Sequence, residues 1–244
     1  MHQRLVPALV LLAWLALAGP AAPRTEPSPP APQLLAPLPR EAPFSAELNG
    51  FAEEDRTDAI KTCQILFVGS SSIRFWKTLE QDMAPYPVVN RGFGGSQASD
   101  VLTYFERLIP PRRPRAIVYY EGDNDIHAGK TPAQVFGDFQ KFLAVKDRAL
   151  GGVPVYFIAV KPSKARFSEL ARQAEVNRDV AGLVPHRRDL IFIDVVPAML
   201  SHGKPKDIYV ADGLHMTPAG YRIWTQIVKR SFARTEVMRR KCPA

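Results

Sequence analysis

The feature that most constrains the fold is an alternation, from Asp58 onward, of short apolar runs with longer amphipathic stretches. The apolar runs are rich in branched residues, which is typical of buried strands. The longer stretches have helical periodicity, and two of them open with Thr-Pro, a common helix start. The predicted strands are 64–69, 87–92, 115–122, 153–162 and 190–195. The predicted helices are 73–83, 98–109 (N-capped by Ser99 or Ser96), 131–150 (N-capped by Thr131), 167–184 and 217–232.

This order of elements predicts successive βαβ units. Their crossovers are right-handed and place helices on both faces of a parallel sheet. Continuous apolar strands fit a sheet that is covered on both faces. We therefore expect an α/β fold, a three-layer flavodoxin-like sandwich with a parallel sheet of about five strands. In such sheets, ligands bind outside the carboxyl ends of the strands.

The ends of the chain differ from the middle in composition. Residues 1–22 have the layout of a secretory signal peptide, with an uncleaved N-terminal anchor as the alternative. Nine of the 23 prolines lie between positions 20 and 43, which predicts a Pro-rich linker over 23–45. The folded domain is expected to span 46–232. The protein is thus predicted to be exported, to the periplasm or the medium.

Residues 233–244 are predicted to form a basic C-terminal tail. From Lys229 onward there are six basic residues against Glu236 alone, which accounts for most of the net charge of +8. A solvated end is the simplest interpretation, and loose attraction to an anionic membrane surface is the alternative. The remainder is nearly neutral and has no basic stripe interleaved with aromatics. This pattern argues against nucleic-acid binding.

Four polar clusters follow predicted strands. They are Ser70–Ser72, Gly94–Ser96, Asp123–Asp125 and the pair Asp212 and His215. Together they provide the parts of an acyl-transfer site. A serine needs a base, and His215 can serve as one, with Asp212 orienting its ring. The amides of Ser71 and Gly95 and the side chain of Asn124 can donate to an oxyanion.

These clusters resemble the GDSL esterase, or SGNH hydrolase, superfamily over Ile65–Lys229. The matching blocks read FVGSSSI, GFGGS, GDND and DGLH. The resemblance implies a flavodoxin-like sandwich, no metal or organic cofactor, Ser71 as nucleophile, and the catalytic and oxyanion roles just given for the other residues. Ser70 stands where many members have aspartate, which leaves Ser72 as an alternative nucleophile.

Other interpretations of these residues exist. Three serines after a strand can cap a helix or bind a phosphate. His127 is a rival base, but nothing in the sequence pairs it with a carboxylate. Asp123–Asp125 lack the glycine and glutamate of a calcium loop, so no metal is expected. Asp125 is expected to hold neighbouring loops by accepting backbone amides. Cys63 and Cys242 are the only cysteines, and in an exported protein they form a possible disulfide.

The sequence as a whole predicts an exported serine esterase that acts through an acyl-enzyme. The sequence shows no long apolar insertion of the kind that forms a lipase lid. Short-chain esters, such as acetyl groups on a carbohydrate, are therefore favoured as substrates. The expected partner is therefore a small-molecule or glycan ester. A lysophospholipase or thioesterase, and a non-catalytic phosphate- or glycan-binding domain on the same fold, are the alternatives.

Overall fold

The computed structural model of the chain describes residues 35–57, 62–109 and 113–242. These residues lie in one compact unit, Ala31–Ala244. The predicted signal segment, 1–22, and the linker as far as residue 34 lie outside the described residues. Within the described part, no helix has both the length and the apolarity needed to cross a membrane.

A five-stranded parallel sheet forms the centre and confirms the predicted fold class. Its strands, in the order β2-β1-β3-β4-β5, are β1 (Ile65–Gly69), β2 (Val88–Gly92), β3 (Ala116–Tyr120), β4 (Val155–Ile158) and β5 (Leu190–Ile193). The order reverses between β1 and β3. That reversal opens a crevice at the carboxyl ends of the strands, where α/β sheets bind ligands.

Two helical layers cover the sheet, because alternate strand residues point to opposite faces. Ile65 and Phe67 face one buried cluster, and Leu66 and Val68 face the other. The first layer contains α2 (Ser71–Arg74), α3 (Leu79–Met83), α9 (Val196–Met199) and α10 (Pro218–Arg234). The second layer contains α1 (Ser45–Thr57), α4 (Ala98–Thr103), α5 (Phe105–Leu108), α7 (Pro132–Leu150) and α8 (Leu170–Leu183).

The remaining elements are short. Helix α6 (Asp123–His127) follows β3, and a small antiparallel hairpin joins β6 (Leu200–Ser201) to β7 (Lys204–Pro205). Single 3₁₀ turns cover 167–169, 184–186 and 237–239. Thr131 caps α7, as predicted, by accepting from the Gln134 amide at 3.2 Å.

The predicted helix over 73–83 is interrupted at residues 75–78. The Asn90 side chain of β2 donates to the Ile73 carbonyl at 2.7 Å, and the Trp76 amide donates to the same oxygen. In a continuous helix that carbonyl would accept from Lys77. The competing bonds end α2 and leave Phe75 on the surface.

The predicted helix over 98–109 is also divided, at Tyr104, and its cap is neither Ser99 nor Ser96. Gln97 is the N-cap, and its amide donates to Asp100 at 2.8 Å. The Ser96 hydroxyl is engaged elsewhere, with the Glu121 carboxylate at 2.6 Å. A partner 25 residues away therefore decides which residue caps the helix.

The folded part extends beyond the predicted boundaries of 46 and 232. The Leu38 amide and carbonyl both bond the Asn49 side chain, at 2.8 and 2.9 Å, so the end of the predicted linker packs on α1. Helix α10 continues to Arg234, and Val237 is fully buried. The described part of the tail is therefore anchored and not simply solvated.

A disulfide joins Cys63 to Cys242, with 5.4 Å between their Cα atoms. Cys63 precedes β1, so the bond lies at the amino end of the sheet. Nearby, the Arg115 guanidinium, just before β3, donates to the Arg240 carbonyl at 2.9 Å. These contacts fasten the C-terminal segment to the end of the sheet opposite the predicted site.

Candidate active site

The predicted site residues meet at the carboxyl ends of the strands. The Ser70 amide donates to the Tyr120 carbonyl at 3.2 Å, which joins the ends of β1 and β3. The Phe93 amide donates to the Gly69 carbonyl at 2.9 Å, which joins the loop after β2 to the end of β1. Gly69 is required here, because a Cβ at this position would lie 2.0 Å from the Tyr120 carbonyl oxygen.

Ser71, His215 and Asp212 form a continuous hydrogen-bonded chain. The Ser71 Oγ lies 2.8 Å from the His215 Nε2, across 144 positions of sequence. The His215 Nδ1 lies 2.6 Å from the Asp212 Oδ2. In this arrangement an imidazole can take a proton from a serine hydroxyl while the carboxylate orients the ring.

The Asp212 carboxylate is held by its own loop. Its Oδ1 accepts from the amides of Leu214 and His215, at 2.8 and 2.9 Å. Slight burial raises the pKa of Asp212, but the hydrogen bonds from Leu214 and His215 outweigh it and lower the pKa to about 2. The group is therefore ionised near neutrality, as the partner of an imidazole must be.

The neighbouring serines have other roles. Ser70 is buried and is the N-cap residue of α2. Ser72 is also buried, and its carbonyl accepts from the Tyr221 hydroxyl at 3.0 Å. Ser71 is thus the serine of the three whose hydroxyl reaches His215. As the first residue of α2, Ser71 has an amide with no acceptor inside the helix.

The second and third polar clusters are joined by Asn124. Its Nδ2 donates to the Ser96 carbonyl at 2.9 Å. Gly95, just before Ser96, is exposed and has a φ of +81°, a conformation that favours glycine. The structure therefore brings Gly95 and Asn124 to one edge, where an amide and a side-chain NH₂ are available as donors.

Asp123 and Asp125 are bound by protein cations. Asp125 is buried, which raises its pKa, although it accepts from Lys130 at 2.8 Å and from the Ala98 amide at 3.2 Å. Asp123 accepts from Arg166 at 2.8 Å. Because Asp125 accepts the amide of Ala98, it holds the start of α4 against α6. In the described ranges, no group of three His, Cys, Asp or Glu side chains is arranged to hold a metal ion.

Comparison with protein families identifies the chain. Residues 68–223 match the model of the GDSL-like lipase/acylhydrolase family. The chain belongs to this family. It is accordingly an ester-hydrolysing hydrolase, and the matched region includes all four polar clusters. A search of curated proteins found no match.

Solved structures share the acylhydrolase fold. A GDSL-like lipase from Bacteroides thetaiotaomicron VPI-5482 is 19% identical, with a TM-score of 0.67 over 79% of this chain and 99% of that one. The lipase/acylhydrolase from Enterococcus faecalis is 20% identical, with a TM-score of 0.56 over 75% and 100% of the two chains. A carbohydrate esterase family 3 protein from Talaromyces cellulolyticus is 15% identical, with a TM-score of 0.56 over 71% and 98%.

The rival base of the acylhydrolase, His127, has a carboxylate partner that the sequence does not reveal. Its Nδ1 lies 2.8 Å from Glu169, 42 positions away. The imidazole is 58% exposed. Among the three serines after β1, Ser71 is the one whose hydroxyl bonds a histidine, and that histidine is His215. His127 and Glu169 therefore form a pair outside the hydrogen-bonded chain.

Two parts of the acylhydrolase site lie outside the four motifs. Phe75 is 39% exposed, and its ring centroid lies 4.8 Å from that of His215 in an edge-on contact. The segment 161–166, which follows β4, contacts both Asn124 and the loop that carries His215. Its position after a parallel strand is the sequence signal that points to it.

Proposed function

We propose that this acylhydrolase is a serine esterase whose nucleophile is Ser71. The observation that carries the proposal is the hydrogen-bonded chain from Asp212 through His215 to Ser71, at 2.6 and 2.8 Å. Ionised Asp212 accepts from the Nδ1–H of His215, which leaves Nε2 free to accept the serine proton. The alternative of a phosphate-binding site gives no role to this pairing.

The proposed reaction has two stages. Ser71 Oγ attacks the ester carbonyl while its proton passes to His215 Nε2. The oxyanion is held by the amides of Ser71 and Gly95 and by the Asn124 side chain. The protonated His215 then gives its proton to the leaving alcohol. Water, activated by the same imidazole, attacks the acyl-enzyme and releases the acid and free Ser71.

The proposed substrate is a short acyl ester, such as acetyl, on a carbohydrate. Phe75 supports this proposal because an exposed aromatic ring beside the base can pack against a sugar ring. The Arg74 guanidinium and the Lys77 ammonium lie 5.5 and 5.9 Å from its centroid, so its surroundings are polar. In the described part of the chain, the exposed large apolar side chains are Leu35, Phe75, Phe167, Val210 and Met238. Of these side chains, Phe75 is the one whose ring packs against the His215 imidazole, which favours a sugar over a long acyl chain.

Hydrolysis of p-nitrophenyl esters from acetyl to dodecanoyl tests the acyl preference, with Ser71→Ala as the control. We expect the acetyl ester to have the highest kcat/KM and the variant to be inactive. Acetylated xylo-oligosaccharides, a lysophospholipid and an acyl thioester then distinguish the alcohol. Preference for the lysophospholipid or the thioester would contradict the carbohydrate proposal while leaving the serine mechanism intact.

A serine-directed organophosphonate separates the esterase from a non-catalytic binding domain. Labelling should occur on the wild-type protein and disappear in Ser71→Ala. A folded wild-type protein that binds acetylated glycans but resists labelling would be a binding domain.

We also propose that the enzyme is exported. The N-terminal pattern supports this, and so does the Cys63–Cys242 disulfide, a bond that persists in oxidising compartments. Fractionation of producing cells should place the activity in the periplasm or the medium. Recovery of the activity with the cytoplasmic fraction would exclude export, and recovery with membranes would favour an uncleaved anchor.

A further inference from the structure

The segment 161–166 lies between the two halves of the site. The Ala165 amide donates to the Gly213 carbonyl at 3.0 Å, and Lys161 Nζ donates to the Leu214 carbonyl at 3.0 Å. Both contacts are to the loop between Asp212 and His215. At its other end, the segment places the Arg166 guanidinium against Asn124, the predicted oxyanion donor.

Arg166 is built into the site. Its side chain is 11% exposed, and its backbone amide is held by the hydroxyl of buried Ser163 at 3.2 Å. One nitrogen, Nη1, donates to the Asp123 Oδ1 at 2.8 Å and to the Asn124 Oδ1 at 3.0 Å. The Asp123 carboxylate also lies 3.4 Å from the Lys161 ammonium, so it is shared by two cations. The direct contact of Arg166 with Asn124 is the hydrogen bond to Oδ1, which bears on the orientation of the amide.

The two contacts of the Asn124 amide determine which way it faces. A guanidinium can only donate, so it requires the amide oxygen. The Ser96 carbonyl can only accept, so it requires the NH₂ group, which it contacts at 2.9 Å. A rotated amide would place donor against donor and acceptor against acceptor. In the observed orientation, one N–H serves Ser96 and the second stays available for an oxyanion.

We propose that Arg166 is a positioning residue for the oxyanion hole, which acts by fixing the orientation of the Asn124 amide. The inference rests on the proposed function, because that function assigns Asn124 to the oxyanion. Ser96 fixes the other side of the amide, and its own hydroxyl is held by the Glu121 carboxylate at 2.6 Å. The oxyanion donor is thus clamped between the segment after β4 and the loop after β2.

The first test is Arg166→Met in the full-length protein. We expect kcat to fall about 10- to 100-fold, less than the loss of a whole oxyanion donor, with KM changed less than about threefold. Affinity for a trifluoromethyl ketone, which forms a tetrahedral adduct with the serine, should fall in parallel with kcat/KM. Arg166→Lys should recover part of the loss, because it keeps one donor in place.

Arg172→Met is the matched control. The Arg172 guanidinium donates to the carbonyls of Ile126 and Lys130, so it ties the same α6 region to α8 without touching Asn124. We expect its kcat to stay within about twofold of the wild type. An equal loss of kcat in the two variants would overturn the proposal in favour of a general structural role.

A double-mutant cycle with Asn124→Ala is the more stringent test, because coupled residues are non-additive. If Arg166 acts through Asn124, Arg166→Met should cause no further loss of kcat in the Asn124→Ala background. Additive losses would overturn the proposal, and the Arg166→Lys cycle gives the same answer if the Met variant does not fold. Failure of this proposal can be distinguished from failure of the proposed esterase function. If the esterase function were wrong, the serine-directed organophosphonate would not label Ser71 in the wild-type protein.

Discussion

Asp212 and Asp189 lie at opposite ends of the sheet, and each has a pKa of about 2. In both cases partial burial raises the pKa, and hydrogen bonds and charges outweigh it. Asp212, at the carboxyl end, bonds the imidazole that reaches Ser71. Asp189, just before β5, accepts hydrogen bonds from Lys146 and Arg187. The Arg187 Nε lies 3.0 Å from the Asp189 Oδ1.

A lowered carboxylate pKa therefore identifies an interaction and not a role. At the amino end, the ionic cluster of Asp189 and the Cys63–Cys242 disulfide connect helices and the C-terminal segment to the strands. At the carboxyl end, similar bonds lead to Ser71, the proposed nucleophile. We expect substitutions at the carboxyl end to change turnover and those at the amino end to change stability.

His215→Ala should have the greatest consequence, because it removes the proposed base. We expect kcat/KM to fall about 10³- to 10⁵-fold, with little change in the melting temperature. His127→Ala is the matched control, because His127 also has a carboxylate partner at 2.8 Å. Esterase assays on acetyl esters measure both. A greater loss of activity from His127→Ala would reverse the assignment of the base.

Asp212→Asn and Asp189→Asn compare the two carboxylates directly. The amide introduced by Asp212→Asn would present an NH₂ to the His215 Nδ1, which favours the tautomer with a proton on Nε2 and prevents Nε2 from accepting the Ser71 proton. We expect about a 10²- to 10³-fold loss of kcat, smaller than for a buried triad because Asp212 is 46% exposed. Asp189→Asn should leave kcat nearly unchanged. Similar losses of kcat in the two variants would remove the distinction between the ends.

Replacement of both Cys63 and Cys242 by alanine tests whether the amino end of the sheet contributes to stability and not to turnover. The bond closes a separation of 179 positions, and its loss should lower the free energy of unfolding by about 2–4 kcal/mol. Urea denaturation measures the loss, and acetyl esterase activity in the absence of urea should be unaffected. An unchanged denaturation midpoint, or a lost activity in folded protein, would contradict the proposed division of roles.

The pH dependence of stability that Asp189 contributes should be the smallest of these changes. Its pKa is lowered from 3.8 to about 2 in the folded protein, so its stabilising effect is complete above the unfolded value and is lost as the pH falls through about 2. Solvent screening limits the effect to about 1 kcal/mol. The difference in unfolding free energy between wild type and Asp189→Asn should be present at about pH 7 and vanish at about pH 2. A difference that is constant with pH would exclude the ionic origin.

Much of the fold and the site follows from local patterns. Three strands, β1, β3 and β4, are apolar runs that are buried along their whole length, so their positions are predictable without knowledge of distant contacts. The four motifs each follow a strand or precede a helix, and in a parallel sheet those positions converge on one edge. That is why the candidate residues Ser71, Gly95, Asn124 and His215 could be named together from the sequence.

Features that depend on distant partners could not be predicted in this way. The break after α2 arises from the side chain of Asn90, and the choice of Gln97 as a cap arises from the engagement of Ser96 by Glu121. Arg166 belongs to no motif, and its importance appears only when its guanidinium is seen against Asn124. Each of these depends on a contact between residues that are remote in sequence.

The order of residues alone dictates that three consecutive serines follow the first strand, at the ligand-binding edge of a parallel sheet. Which of the three meets the base depends on how the chain packs in three dimensions. Ser70 is the N-cap and has an extended backbone, whereas the helical residues Ser71 and Ser72 point about 100° apart, so the three side chains face different directions. Helix α2 packs against β1 and β2, and the Tyr221 hydroxyl of α10 donates to its Ser72 carbonyl. This packing buries Ser70 and Ser72 and turns Ser71 toward His215, because the helix has one orientation that fills the core.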